Sequence, residues 1–234
     1  MTILDRLAEH ACERVSAAKK AVSPAQVEAE ALALPRGSFA FEKALRRPGV
    51  SFICECKKAS PSKGLIAPEF PYVEIAREYE AAGADAVSVL TEPKWFLGRD
   101  EYLAEIAAAV KIPCLRKDFI VDEYMIYQAK TLGAAAVLLI CAILDEARLR
   151  GFIALCDSLG LSALVEAHDA REIAMALECS ARIIGVNNRN LKDFSVDTGN
   201  SGRLRALVPN GEIFVAESGI AVPADVASLA KAGL

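Results

Sequence analysis

Glu55 and Lys57 stand two residues apart at the end of an apolar run, Ile53-Cys54-Glu55-Cys56-Lys57, which leads straight into Ser60-Pro61-Ser62-Lys63-Gly64. Strand alternation predicts that Ile53, Glu55 and Lys57 share one face while Phe52, Cys54 and Cys56 share the other. A carboxylate and an ammonium half-buried together cost desolvation energy that hydrophobic residues of similar size would avoid, so the pair reads as chemical equipment. A structural salt bridge is the alternative.

Similar groups recur at the ends of other apolar runs: Thr91 and Glu92, Lys117 and Asp118, Glu166 and His168, Asn187 and Arg189, Glu217 and Ser218. Alternation pairs Lys117 with Leu115, Glu166 with Leu164, Asn187 with Gly185, and Glu217 with Val215 on common faces. Two lysines among three glutamates should shift one another's proton affinities, which suits proton transfer. The chain has only two histidines, His10 and His168. His10 lies on a predicted first helix, and His168 is read as orienting a helix start before the Asp169 cap. Acid and base are therefore expected to be Lys and Glu. Asn187-Asn188-Arg189-Asn190 is either a polar turn or part of the site. Ser218-Gly219 offers a hydroxyl and an exposed N–H, parts of a phosphate site, with a plain turn as the alternative.

Around these stand accessory groups. Ser60 to Leu65 reads as a long first loop able to act as a lid. Trp95, Phe96 and Tyr102 either cover an aromatic ligand or pack a loop. Lys57, Lys58, Lys63, Arg116, Lys117 and Arg189 bias the expected mouth towards an anionic small molecule.

The elements that must position these residues are short apolar strands alternating with amphipathic helices. Strands are predicted at Val50–Cys56, Ala86–Leu90, Ile112–Arg116, Ala135–Ile140, Ala163–Glu166, Ile183–Asn187 and Ile213–Glu217. Helical patterns between them include Tyr72–Ala82, Tyr102–Val110, Glu123–Leu132, Glu146–Leu159 and Asp169–Leu177, the last opened by an Asp169-x-x-Glu172 capping box. Ala82-Gly83-Ala84-Asp85 and Leu132-Gly133-Ala134-Ala135 repeat one joint, a glycine helix stop followed at once by a buried strand. An open sheet concentrates its site at one switch point, whereas polar groups at nearly every strand end point to a (β/α)₈ barrel with one mouth. No Gly-x-Gly-x-x-Gly follows a strand. The expected organisation is a single barrel domain over 1–234, with 1–48 as an N-terminal helical extension that caps the bottom or borders the mouth. Lys231-Ala232-Gly233-Leu234 repeats the joint after only seven strands, so the eighth βα unit is expected to be missing from this sequence and to follow Leu234 in the native product.

With 234 residues, 53% hydrophobic, 25% charged and a mean hydropathy of +0.28, the chain can bury one sizeable core. Its net charge of −4 without a basic run excludes a nucleic-acid footprint. The start shows Ile3, Leu7, Ala11 and Val15 at helical spacing rather than a leader, and the longest apolar run, Ala134 to Leu144, is too short for a membrane span. A cytoplasmic protein is expected. Seven cysteines without ligand spacing indicate neither a disulfide frame nor a metal site.

Several motifs occur in one order: Glu55-x-Lys57-x-x-Ser60-Pro61-Ser62-x-Gly64, Ser88-Val89-Leu90-Thr91-Glu92, Leu115-Arg116-Lys117-Asp118-Phe119-Ile120, Val165-Glu166, Gly185-Val186-Asn187-Asn188-Arg189-x-Leu191 and Ala216-Glu217-Ser218-Gly219-Ile220. Together they resemble the indole-3-glycerol phosphate synthases of tryptophan biosynthesis, over the whole chain. The resemblance implies ring closure, decarboxylation and dehydration of 1-(2-carboxyphenylamino)-1-deoxyribulose 5-phosphate, without a cofactor or metal. It implies Lys117 as general acid, Glu166 in dehydration, and Lys57 and Glu55 in substrate orientation and proton transfer. Asn187, Arg189 and Glu217 would hold hydroxyls and carboxylate, and Ser60, Ser218 and Gly219 the carboxylate or phosphate. The family's eighth strand and its phosphate-binding loop have no counterpart here. The partner is then a phosphorylated anionic small molecule. A monomer is expected, and association with other tryptophan-pathway enzymes is left open. Competing readings are another phosphosugar barrel, such as a phosphoribosylanthranilate isomerase or a Schiff-base aldolase, and a non-catalytic truncated barrel.

Overall fold

The structure is a computed structural model that describes residues 2–190 and 195–233; Leu191 and Leu234, used above, lie outside the described residues. Three helices come first, α1 (Ile3–Ala21), α2 (Pro24–Ala33) and α3 (Ala40–Leu45). Strand β1 (Ile53–Cys56) is followed by a short hairpin, β2 (Ala59–Ser60) and β3 (Gly64–Leu65). Alternation then runs through α4 (Tyr72–Ala81), β4 (Ala86–Leu90), α5 (Asp100–Ala109), β5 (Cys114–Lys117), α6 (Glu123–Thr131), β6 (Ala136–Ile140) and α7 (Glu146–Leu159). It continues with β7 (Ser162–Ala167), α8 (Ala170–Glu178), β8 (Ile183–Asn187), α9 (Gly199–Leu204), β9 (Ile213–Glu217) and α10 (Pro223–Lys231).

Seven strands form one parallel sheet in the order β1-β4-β5-β6-β7-β8-β9. Consecutive parallel neighbours joined by outer helices are the βα repeat of a TIM-type barrel. β4, β6 and β8 are buried at every residue, as strands covered on both faces must be, whereas β9 is half-buried throughout. The sheet is curled, because side chains from β5 and β9 meet inside it. Strand ends feed helix caps directly: the carboxylates of Asp122, Asp145 and Asp169 each accept a backbone N–H in the first turn of α6, α7 and α8.

Local details depart from the sequence expectation in three places. β1 begins at Ile53 rather than Val50, because the Phe52 N–H is taken by the Asp85 carboxylate at 2.9 Å and Val50 and Phe52 are exposed. The Asp169 cap forms, but Glu172 does not close the box onto Asp169. Its carboxylate reaches one residue further, to the N–H of His168 at 2.8 Å. The first loop is not without structure, since it carries the β2–β3 hairpin.

The extension spans both ends of the barrel. α1 buries the predicted Leu7, Ala11 and Val15 and sets charged groups against strand exits: His10 Nδ1 lies 3.2 Å from Glu92, Arg14 grips both oxygens of Asp118 at 2.6 and 3.2 Å, and Lys19 meets Asp122 at 2.7 Å. α2 follows Ser23, whose hydroxyl accepts the Gln26 N–H, and packs along α6. The chain then reaches the strand entrances, where Gly37 N–H bonds Leu159 O at 2.9 Å, Glu42 meets Arg182 at 2.8 Å and Arg46 donates to Gly211 O at 3.1 Å.

Asp118 is fully buried beside the cleft and also accepts the Thr91 hydroxyl at 2.6 Å, with Arg116 3.6 Å away. Burial would push its carboxyl up, but Arg14 first and then Arg116 hold it below the usual range. Replacing Arg14 with Met should leave this charge without its main partner and cost about 3 kcal/mol in chemical denaturation, as removal of one member of a buried pair does. The double variant R14M/D118N should recover most of that loss. Equal instability of the single and double variants would show that the pair does not carry it.

Candidate active site

The strand exits enclose one cavity of about 640 Å³, lined by all ten residues singled out from the sequence: Glu55, Lys57, Ser60, Lys117, Glu166, Asn187, Arg189, Glu217, Ser218 and Gly219. Alternation is the reason. Each strand contributes its inward position, so the charged side chains converge although they are spread over more than 160 residues of sequence.

Lys117 lies at the centre. Its Nζ is 3.7 Å from Glu166 Oε2 and 3.5 Å from Glu217 Oε2. Burial by itself would lower its proton affinity, but the charges of Glu217, Glu166 and Glu55 outweigh burial, and the net shift is upward. Lys117 is thus held as an ammonium. Lys57 Nζ sits 2.5 Å from Glu55 Oε1, both side chains about one-third exposed. Burial raises the Glu55 carboxyl, yet Lys117 and Lys57 together bring it below its ordinary value. Ser88 lies opposite Glu55 in the β1–β4 register and lines the same cavity.

Glu217 reaches this cluster because Gly185 has no side chain. A Cβ on Gly185, which pairs with Glu166 across the sheet, would run into Glu217 Oε1. That oxygen is buried without a hydrogen-bond partner among the described residues. Burial first, then the neighbouring Glu166 and Glu55 charges, push the Glu217 carboxyl up to about 7 against the pull of Lys117.

Two loops border the charged centre. In the β2–β3 hairpin, Ser60 Oγ is 3.4 Å from Ser62 Oγ and accepts the Lys63 N–H at 3.2 Å. After β9, Ser218 and Gly219 adopt left-handed backbone, φ 69° and 78°. A residue with a Cβ pays roughly 1–2 kcal/mol for that conformation, and Asn188 secures it, bonding Ser218 O at 3.1 Å through its amide and Glu217 O at 2.8 Å through its N–H. At Gly219 a Cβ would meet Val196. Asn187 accepts the Arg189 N–H at 2.9 Å, so the polar run is both turn and cavity wall.

Other expectations are corrected. Arg116 does not face the mouth: alternation from Lys117 turns it outward, where it is buried against Asp100 at 2.9 Å and Met125 O at 3.0 Å. Lys58 does not line the cavity, whereas Lys63 does. The aromatic cluster divides. Phe96 enters the cavity beside Phe119, ring centroids 6.1 Å apart, while Trp95 packs on His10, and Tyr102 on Phe70 and Tyr72. Phe119 and the α1 residues Ile3, Leu4 and Leu7 are apolar lining that local pattern does not assign to the cavity.

The sequence model of the family described as "Indole-3-glycerol phosphate synthase" matches residues 4–234. A protein of that description from Ruminiclostridium cellulolyticum is 55% identical over 232 residues, covering 99% of this chain and 89% of the relative. Another from Lachnoclostridium phytofermentans is 58% identical over 86% of this chain and 74% of its own length, and one from Chlorobium chlorochromatii is 48% identical over 100% and 91%. Among solved structures, an N-acetylmannosamine-6-phosphate 2-epimerase from Clostridium perfringens superposes with a TM-score of 0.59 at 14% identity, over 78% of this chain and 82% of that one, a likeness of fold.

The raised Glu217 carboxyl has a consequence for stability. Its ordinary value is 4.5 and its folded value about 7, so between those limits the folded chain binds the extra proton. Its contribution to stability is present below about pH 4.5 and is lost as pH rises through about 7. Glu217→Gln should therefore gain in melting temperature over the unaltered protein on going from pH 5 to pH 8. A difference that stays constant over that range would show that Glu217 is ionised throughout.

Proposed function

The chain belongs to the indole-3-glycerol phosphate synthase family, a carboxy-lyase family of tryptophan biosynthesis, and from that premise we propose how its residues divide the reaction. In 1-(2-carboxyphenylamino)-1-deoxyribulose 5-phosphate the ring carbon bearing the carboxylate attacks the ketone, closing a five-membered ring. Carbon dioxide leaves, restoring aromaticity, and loss of water then gives indole-3-glycerol phosphate.

The observation that carries the reading is the Lys117 ammonium, held among Glu166, Glu217 and Glu55 at the centre of the cavity. Attack on the ketone builds negative charge on its oxygen, and an oriented ammonium both stabilises that charge and delivers the proton. An alkoxide is far more basic than an amine, so even a lysine of raised proton affinity serves as its acid. Glu166, 3% exposed and in contact with Lys117, is suited to the later elimination, which needs a carboxyl to move a proton as water departs. Lys57, paired with Glu55 on the cavity wall, is the cation for the benzoate carboxylate, whose charge is lost as carbon dioxide forms.

The remaining roles follow the shape of the cavity. Phe96 and Phe119 offer an apolar wall for the anilino ring, with Leu4 and Leu7 of α1 on the same lining. Asn187, Arg189 and Glu217 suit the hydroxyls and carboxylate. Ser218 and Gly219, in successive left-handed conformations, suit the phosphate, with Ser60 on the hairpin opposite. The proposal includes action in the cytoplasm as a monomer: the cysteines are free thiols, which a reducing compartment preserves, and sedimentation equilibrium reads the mass.

Lys117→Ala should lower kcat by about 10² to 10⁴-fold while product binding persists, since general acid–base catalysis typically supplies that much. Turnover near normal would remove Lys117 from the mechanism. Lys57→Ala should instead raise KM as well as lower kcat, because its contact with the carboxylate exists before the transition state. Glu166→Gln keeps shape but cannot carry the proton. Rapid quench should then reveal the ring-closed, decarboxylated intermediate, and recovery of unreacted substrate alone would count against a role in dehydration.

A further inference from the structure

We infer that His168 is a positioning residue for Glu166, its ring, braced by Glu172, holding one carboxylate oxygen so that the other stays turned to Lys117 and the substrate. The two oxygens of Glu166 face two different basic side chains. Oε2 lies 3.7 Å from Lys117 Nζ, and Oε1 lies 3.5 Å from His168 Nε2. His168 is absent from the cavity lining, so it acts on the reaction through other residues, and Glu166 is the cavity residue that its Nε2 faces.

The helix-start role expected of His168 belongs to its backbone, whose N–H bonds Glu172 Oε2 at 2.8 Å. The ring is a separate matter. Its Nδ1 meets the same Glu172 oxygen at 3.1 Å, which restrains the ring and leaves Nε2 3.5 Å from Glu166. Nε2 is buried and makes no hydrogen bond among the described residues. A lone pair pointed at a buried carboxylate would be repelled, whereas an N–H there is attracted, so the geometry selects the imidazolium. The surroundings agree. Burial would discharge the ring, but the hydrogen bond to Glu172 and the charges of Glu166, Glu172 and Glu217 outweigh it, and its proton affinity is raised.

Among the described residues, the elements packed around His168 add no competing cation at the ring. β7 presents Glu166, α8 presents Glu172 and β9 presents Glu217, with Lys117 of β5 on the far side of Glu166. α9 contributes the Asn200 amide to His168 O at 3.4 Å, and the turn after β6 contributes Cys141, bonded to Glu172 O at 3.6 Å. Without the imidazolium, Glu166 would keep the Lys117 contact alone among the ion pairs of the described residues, and the carboxylate cluster would protonate more readily.

The inference rests on Glu166 acting in dehydration, and the test separates the two. kcat and KM are measured from pH 5 to 9 for H168N, H168Q and E172Q, with E166Q as reference and melting temperatures recorded throughout. H168N should lose about tenfold in kcat, by analogy with the loss when a group that orients a metal ligand is removed, with KM little changed. Its acid limb should move to higher pH, because a cation beside the carboxylates is gone. H168Q keeps a donor without the charge and should recover part of kcat but not the limb. E172Q keeps acceptors for both the ring and the backbone N–H while removing the charge that favours the imidazolium, so it should move the limb the same way by less, even where H168N folds poorly. Lower melting temperatures with unchanged pH profiles for H168Q and E172Q would overturn the inference and leave His168 a structural residue. Near-normal turnover by E166Q would instead overturn the assignment on which it rests.

Discussion

Contact between the Lys117 ammonium and Glu217 sets a geometric demand on the whole sheet. β5 and β9 are four places apart in strand order, and neighbouring strands are about 4.8 Å apart, so a flat sheet would separate them by roughly 19 Å. The side chains nevertheless meet at 3.5 Å. Only a curled sheet with inward-facing ends brings them together, and the charges must then be shared closely because little solvent reaches Glu166. Three carboxylates share the cavity with Lys57, Lys63, Lys117 and Arg189, which suits a site that holds an anionic ligand and moves protons on it.

A second ionic layer stands directly behind the first. In Arg116-Lys117-Asp118, alternation sends Lys117 inward and its two buried neighbours outward, where buried Thr91 and the partly exposed Arg14 and Asp100 complete the set. The backbone bearing the acid is therefore held by ion pairs on its far side. Glu92 plays a related part after β4: it is fully buried and accepts the N–H groups of Lys94, Trp95 and Phe96, and so fixes the turn that brings Phe96 to the cavity. Polar residues at strand exits thus serve either the cavity or the frame, according to the parity of their position.

That parity explains what could be read from sequence. Glu55, Lys117, Glu166, Asn187 and Glu217 were legible because a period of two decides direction from local order alone. Arg116 obeys the same rule in reverse, since its parity, not its charge, decides that it faces away from the mouth. α2 had a local signal, Ser23 before Pro24, that was passed over. Other features had no local signal. Phe119 and Leu4 meet the cavity through contacts between segments far apart in sequence, and the reach of Glu172 to His168 depends on how α8 sits against β7. The room that Gly185 leaves for Glu217 is visible only once β8 and β9 are in register.

The grip of Arg14 on Asp118 joins residues 104 positions apart, which gives the fold a history as well as a shape. At about 5–20 residues per second, synthesis needs roughly 5 to 20 seconds between making the first partner and making the second. During that interval α1 exists as an amphipathic helix whose buried stripe, Leu7, Ala11 and Val15, has no barrel to cover. Closing so large a loop has an entropic cost, and the helix that lines the cavity is among the first segments made and must wait for the strand that leads to Asp118. Nascent chains carry an exposed apolar stripe until then, a natural point of contact for a chaperone.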